Sequence, residues 1–139
     1  MTKEKRPFVG VGVMIMRDGK ILLGRRKGSH GAGEYAFPGG HLRYGETFEE
    51  CAKRETREEC GLEIEIVRFL CVSNIIKYGK HYVDIEILAE SDCGEPKVLE
   101  PNKRLEWNWY KLDRIPGPLF EMCKKAVESY KTGRFYFDK

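Results

Sequence analysis

The stretch from Gly39 to Leu62, GGHLRYGETFEECAKRETREECGL, constrains this chain more than any other. Thr47 followed by Glu50 is a capping-box pair, which predicts a helix with Thr47 as its N-cap. Gly61 predicts its end, in the left-handed conformation that glycine adopts without steric cost. On a wheel of ~100° per residue, Phe48, Cys51, Ala52, Glu58, Glu59 and Leu62 fall within about 60° of Glu55. Glu49, Glu50, Lys53 and Arg57 occupy the opposite, solvated side. Three glutamates therefore share the face expected to pack. Unpaired, partly buried carboxylates are costly, and like charges one turn apart raise one another's pKa. Two readings follow. One is an acidic helix edge bridged to Arg54 and Arg57. The other is a cradle for a divalent cation, where hard oxygen ligands suit Mg²⁺ or Mn²⁺.

Around this helix the chain alternates between strand and turn signals. FVGVGVMIMRDGKILLGRR is a strand pair broken at Asp18-Gly19, a hairpin signal. Gly10 and Gly12 fall on one face of its first strand, Val9, Val11 and Val13 on the other, and glycines along a strand face mark close approach of backbone or ligand. KGSHGAGEY is a loop, and YAFPGGH a short strand stopped by Pro38 and Gly39. LEIEIVRFLCVSNII and KHYVDIEILAES are strands, with Val83, Ile85 and Ile87 alternating against Asp84 and Glu86. SDCGEPKVLEPNKR is a long polar loop, and LEWNWYKL a last strand. From Pro118 onward, Leu119, Cys123, Ala126 and Tyr130 recur at helical spacing. The tail KTGRFYFDK carries no clear signal. Strands before, between and after two helices, without regular βαβ alternation, imply an α+β, layered architecture.

Composition sets the bounds. A chain of 139 residues with 41% hydrophobic and 34% charged residues fits one globular domain rather than disorder. A net charge of +3 gives no reason to invoke a nucleic acid polymer or an anionic membrane. Basic residues do cluster locally in GRRKGSHG. Five cysteines without a CxxC pair suit free thiols in a reducing compartment better than disulfides or zinc. No apolar h-region and no run of ~20 apolar residues is present, so a cytoplasmic location is expected.

The full spacing of the opening stretch is more specific than its wheel. Gly40, Glu46 and then Arg54-Glu55-Thr56-Arg57-Glu58-Glu59-Cys60-Gly61-Leu62 match the Nudix box, G-x5-E-x7-R-E-U-x-E-E-x-G-U. Only Thr56 departs, at a packing position where an aliphatic residue is usual. Further stretches, among them ILLGRRKGSHGAGEYAFPGGH, HYVDIEI, EPKVLEP and EWNWY, make most of the chain similar to the MutT-like nucleotide diphosphatase branch of the Nudix hydrolases. The resemblance implies one Nudix domain over 1–139, an α/β/α sandwich around a mixed sheet with the box as a loop–helix–loop. It implies Mg²⁺-dependent hydrolysis of a nucleoside triphosphate to monophosphate and pyrophosphate, and a homodimer.

It also implies roles. Glu55 and Glu59 are similar to the family's principal metal ligands. Glu58 is a further ligand or acts through metal-bound water. Glu55 or Glu58 is the general base. Arg54 orients a glutamate, Glu46 is a structural partner, and the carbonyl of Gly39 or Gly40 completes the metal shell. Arg26 is expected on the phosphates and His41 along the nucleotide site; Phe37 and Phe120 shape the base pocket, with Trp109 another stacking candidate. Glu100 or Glu106 is a candidate extra acid, while His30 and His81 are assigned no role. Glu121, Met122 and Cys123 depart from the branch's base-pocket pattern, so guanine selectivity does not carry over. Rival substrates are ADP-ribose, dinucleoside polyphosphates, to which Tyr78 is the pointer, a pterin triphosphate and an isoprenoid diphosphate. The lack of any proline between Pro38 and Pro96 counts against ADP-ribose. A non-cleaving nucleotide sensor is disfavoured, because Glu46, Glu55, Glu58 and Glu59 are all present.

Overall fold

Val- and Ile-rich segments interrupted by short glycine turns dictate the centre of the molecule. In the computed structural model, β1 (Phe8–Arg17) and β2 (Lys20–Arg26) form an antiparallel hairpin. Its two-residue turn, Asp18-Gly19, has positive φ at both positions, the geometry that matches strand twist. The structure describes residues 4–28 and 30–138. Residues 1–3 of the charged N-terminal stretch, Ser29 of the first loop and Lys139 of the tail lie outside them.

β1 pairs in parallel with β6 (Lys80–Glu90), which pairs antiparallel with β5 (Glu65–Lys77) through a Tyr78-Gly79 turn. β2 carries β7 (Arg104–Lys111) and the two-residue β3 (Tyr35–Ala36). Among the described residues the result is one mixed sheet of eight strands. Helix α1 (Phe48–Cys60) packs Cys51, Ala52 and Cys60 against Val11, Val13, Ile15, Ile85 and Ile87 on one face. Helix α2 (Glu121–Thr132) packs Met122, Cys123, Ala126 and Val127 against Met14, Leu70, Cys71 and Leu88 on the other. This is the expected α/β/α arrangement. All five cysteines are free thiols. Among the described residues no helix is long and apolar enough to cross a membrane.

Two segments differ from their sequence reading. YAFPGGH is two strands, not one: β4 (Gly39–His41) pairs with β1 at Gly10, Val11 and Gly12. No β-branched residue announces β4. It forms because Gly39 lies opposite Gly12, where a Cβ would come within 2.5 Å of the Val11 carbonyl oxygen. The tail contributes β8 (Tyr136–Phe137), which extends the sheet beside β5 and buries Phe137.

Gly24 shows the same kind of demand away from the helices. A Cβ there would lie 2.7 Å from both the Glu106 carbonyl oxygen and the Trp107 ring. Gly24→Ala is therefore expected to lower unfolding free energy by roughly 1–3 kcal/mol in urea denaturation. An unchanged midpoint would contradict the packing of β2 on β7.

Candidate active site

The box helix is fixed at both ends before any chemistry is considered. Glu50 N–H donates to Thr47 Oγ1 at 3.0 Å, and Thr47 N–H donates to Glu50 Oε1 at 2.8 Å. Gly61 closes the other end at φ 72°. With both ends set, the rotational phase of α1 is set, and Glu55 and Glu59 turn inward. Thr56, the departure from the box pattern, is fully buried, and its hydroxyl donates to the Ala52 carbonyl. The packing role expected there holds with a hydroxyl in place of a methyl.

The loop before the helix is clamped by Arg54. Its guanidinium donates to both oxygens of Glu46, at 2.6 and 3.0 Å, to Glu55 Oε1 at 2.5 Å and to the His41 carbonyl at 3.0 Å. This fork holds Glu46 well below the usual carboxylate range and raises the Arg54 pKa in turn. Glu46 also accepts from the Arg43 N–H and does not line the cavity, in keeping with a structural partner. Glu58 corrects the wheel. It does not point inward: its side chain is 42% exposed, held between Arg54 and Arg43 at the helix border.

Glu59 is the most constrained carboxylate. It is 3% exposed, and Oε2 accepts from the Gly39 N–H at 2.9 Å. Burial pushes its pKa up to about 7, against the pull of Arg104 and the Gly39 N–H; Glu55 and Glu100 push further upward. Arg104 Nη2 stands 4.0 Å from Glu59 Oε1 and donates to the Phe37 carbonyl at 3.0 Å. Arg104 went unnoticed in the sequence because it sits at the join of a polar loop and a strand. Its register partner across β2 is Arg26, the second interior guanidinium, reached through a bulge after Gly24. Burial and Arg104 lower the Arg26 pKa; its Nε donates to the His30 carbonyl and its guanidinium lies 4.2 Å from the Phe120 ring centre.

These groups surround one cavity of about 680 Å³, within the range of small-ligand sites. Arg26, Phe37, Gly39, Gly40, His41, Glu55, Glu59 and Phe120 all line it; Arg54 and Glu58 do not. His41 sits at the rim, its imidazole 3.1 Å from the Tyr82 hydroxyl and stacked on Phe8, with its pKa lowered by burial. Trp109 is not there: it packs beneath the Arg17 guanidinium. Glu100 acts on Glu59 only through its field, and Glu106 does not line the cavity. His30, given no role, does line it, while His81 pairs with Asn74 away from it. Tyr78 donates to Glu34 at 2.7 Å and stacks on Phe120, behind the cavity wall. Asp84 and Glu86, read as the polar half of an alternating strand, are 4% and 1% exposed and form part of the cavity floor.

The donor set suits a small hard cation. Glu55 and Glu59 offer only oxygen, and a Cβ at Gly40 would overlap the Glu55 carboxylate, so the glycine leaves a cradle open there. Among the described residues no three His, Cys, Asp or Glu side chains gather into a ready cage. Two carboxylates with nearby backbone carbonyls match Mg²⁺, which keeps waters and takes the rest of its shell from substrate phosphate.

The NUDIX domain family model matches residues 6–131. An oxidized purine nucleoside triphosphate hydrolase of Danio rerio is 31% identical over 106 residues, 75% of this chain and 66% of the relative. An ADP-ribose pyrophosphatase of Methanocaldococcus jannaschii is 32% identical over 126 residues, 89% of this chain and 73% of the relative. The crystal structure of a MutT Nudix hydrolase from Burkholderia pseudomallei superposes with a TM-score of 0.84 at 38% identity, covering 90% of this chain and 98% of that one. With the box motif capped, clamped and turned into the cavity, and the family match spanning most of its length, the chain belongs to the MutT-like Nudix hydrolases.

Proposed function

We propose that the protein hydrolyses nucleoside triphosphates to monophosphate and pyrophosphate with Mg²⁺. The observation that carries this reading is the cavity's polarity: Glu55 and Glu59 face it from the box, and the interior guanidiniums of Arg26 and Arg104 face it from β2 and β7. Such a site matches a polyphosphate, whose negative oxygens need both a metal and fixed cations.

Each residue then has a task. Glu55 and Glu59 hold the metal with a carbonyl of Gly39 or Gly40. When bound, Mg²⁺ neutralises phosphate oxygens and makes its water more acidic. Arg26 and Arg104 orient the phosphate chain and offset its charge. Of the two candidate bases, only Glu55 lines the cavity; Arg54 pins its Oε1, which leaves Oε2 to take the proton of the attacking water. Glu58 steadies Arg54 from outside. The archaeal relative supports a second reading, cleavage of ADP-ribose. A substrate panel separates the two, because a triphosphate releases pyrophosphate and ADP-ribose does not.

Glu59→Gln keeps the shape and the Gly39 hydrogen bond but removes the charge. It is expected to lower kcat/KM at least about 100-fold while the circular dichroism spectrum stays unchanged. Near-wild-type turnover would remove Glu59 from the metal shell.

The pH dependence has a definite sign. The folded, metal-free pKa of Glu59 is about 7, above its ordinary 4.5. Its contribution to stability is thus fully present below pH 4.5 and lost as pH rises through 7. A cation binds only the carboxylate form. The rise in Tm on adding Mg²⁺ is therefore expected to be larger at pH 8 than at pH 6, and to flatten in Glu59→Gln. An equal rise at both pH values would contradict this.

A further inference from the structure

Asp18 and Tyr78 are the non-glycine residues with positive φ among the described residues. Asp18 suits that conformation, because its short polar side chain can hydrogen-bond locally. Tyr78 does not. It stands at φ 59° in the Tyr78-Gly79 turn between β5 and β6, where asparagine or aspartate is the usual choice. A bulky residue kept in a conformation it disfavours points to contacts that over-determine it. Three such contacts are present. The Tyr78 hydroxyl donates to Glu34 Oε1 at 2.7 Å. It accepts from the Glu121 N–H at 3.0 Å, which answers the open start of α2, where Phe120 at the N-cap offers no side-chain acceptor. The ring stacks on Phe120, with 4.9 Å between centres and 13° between planes. Burial, and then Glu34, raise the Tyr78 pKa, so the hydroxyl keeps the proton it donates.

Two of these contacts lead to the same residue. Glu34 and Arg26 close the loop between β2 and β3: the Arg26 N–H donates to the Glu34 carbonyl at 2.8 Å, and the Arg26 carbonyl accepts from the Gly33 N–H at 2.8 Å. Gly31, in the same loop, is pressed on Phe120, where a Cβ would lie 2.7 Å from the ring. Phe120 in turn has the Arg26 guanidinium 4.2 Å from its ring centre. Tyr78 thus reaches the backbone of Arg26 through Glu34 and its guanidinium through Phe120. We propose that Tyr78 is the positioning residue for Arg26, fixing from behind the cavity wall the guanidinium that meets the substrate's phosphates. An arginine free to move loses rotamer freedom when it engages an anion, and one already held loses less. The effect of Tyr78 therefore falls on phosphate affinity, and it runs through Arg26.

This assignment rests on Arg26 meeting phosphate, and two measurements keep the parts separate. Tyr78→Asn suits the left-handed backbone but removes ring and hydroxyl, while Tyr78→Phe removes the hydroxyl alone. The first measurement is calorimetric titration with inorganic pyrophosphate and Mg²⁺. Tyr78→Asn is expected to weaken binding at least about fivefold beside Arg26, but less than about twofold in an Arg26→Ala background, with Tyr78→Phe between wild type and Tyr78→Asn. An equal loss in both backgrounds would mean a general disturbance of the site and would overturn the proposal. The second is solvent exchange of the Arg26 Nε–H by NMR, which needs no ligand. Exchange is expected to quicken at least about tenfold in Tyr78→Asn, as the bond to the His30 carbonyl loosens. Wild-type exchange in both variants would also overturn it. Where Tyr78→Asn does not fold, Tyr78→Phe carries both measurements, and wild-type values in it count against Tyr78. Failure of the wild-type protein to bind pyrophosphate would sink the phosphate reading of Arg26 alone, with the exchange rate still deciding whether Tyr78 holds Arg26.

Discussion

The carboxylate of Glu59 is the point on which the rest of the site depends. It lies inside the protein, where burial opposes its charge, and among the described residues the Gly39 N–H and the distant edge of Arg104 answer it. Its backbone carbonyl also accepts from the Trp107 indole N–H and the Leu99 N–H. One residue therefore ties α1 to β4, β7 and the loop between β6 and β7. A buried anion with so little compensation is costly for stability.

The surrounding architecture keeps that anion in place. The capping box and Gly61 set the phase of α1. Arg54 braces the preceding loop through Glu46, so the Gly39–Gly40 backbone is pressed against β1. Glycine faces glycine at 12 and 39, and the strands come close enough for a backbone N–H to reach the acid. On the far side, the bulge in β2 places Arg26 opposite Arg104. Negative charge on the helix side and positive charge on the strand side face one cavity.

Much of this was legible in the sequence, and the limits have physical causes. The helix bounds, the inward turn of Glu55 and Glu59, and the hairpin at Asp18-Gly19 follow from local rules of capping, periodicity and turn chemistry. Glu58 was misplaced because a wheel assigns angle, not depth; the border of the helix is open at that residue. Arg104, Asp84 and Glu86 were missed for a different reason. Their meaning depends on strand register: Gly12 beside Glu86, Gly10 beside Asp84, Arg26 beside Arg104. The glycines on β1 were a visible signal of close approach, but nothing local identifies which strand approaches. β4 was hidden similarly, since a glycine strand has no propensity of its own and exists only through its partner.

Diffraction from crystals soaked in Mn²⁺, with the anomalous signal used to locate the metal, tests the central claim most directly. The account predicts a peak at ~2.2 Å from carboxylate oxygens of both Glu55 and Glu59, on the Gly40 side of the helix. A peak bound instead by Asp84 and Glu86, or none in the cavity at saturating Mn²⁺, would contradict it.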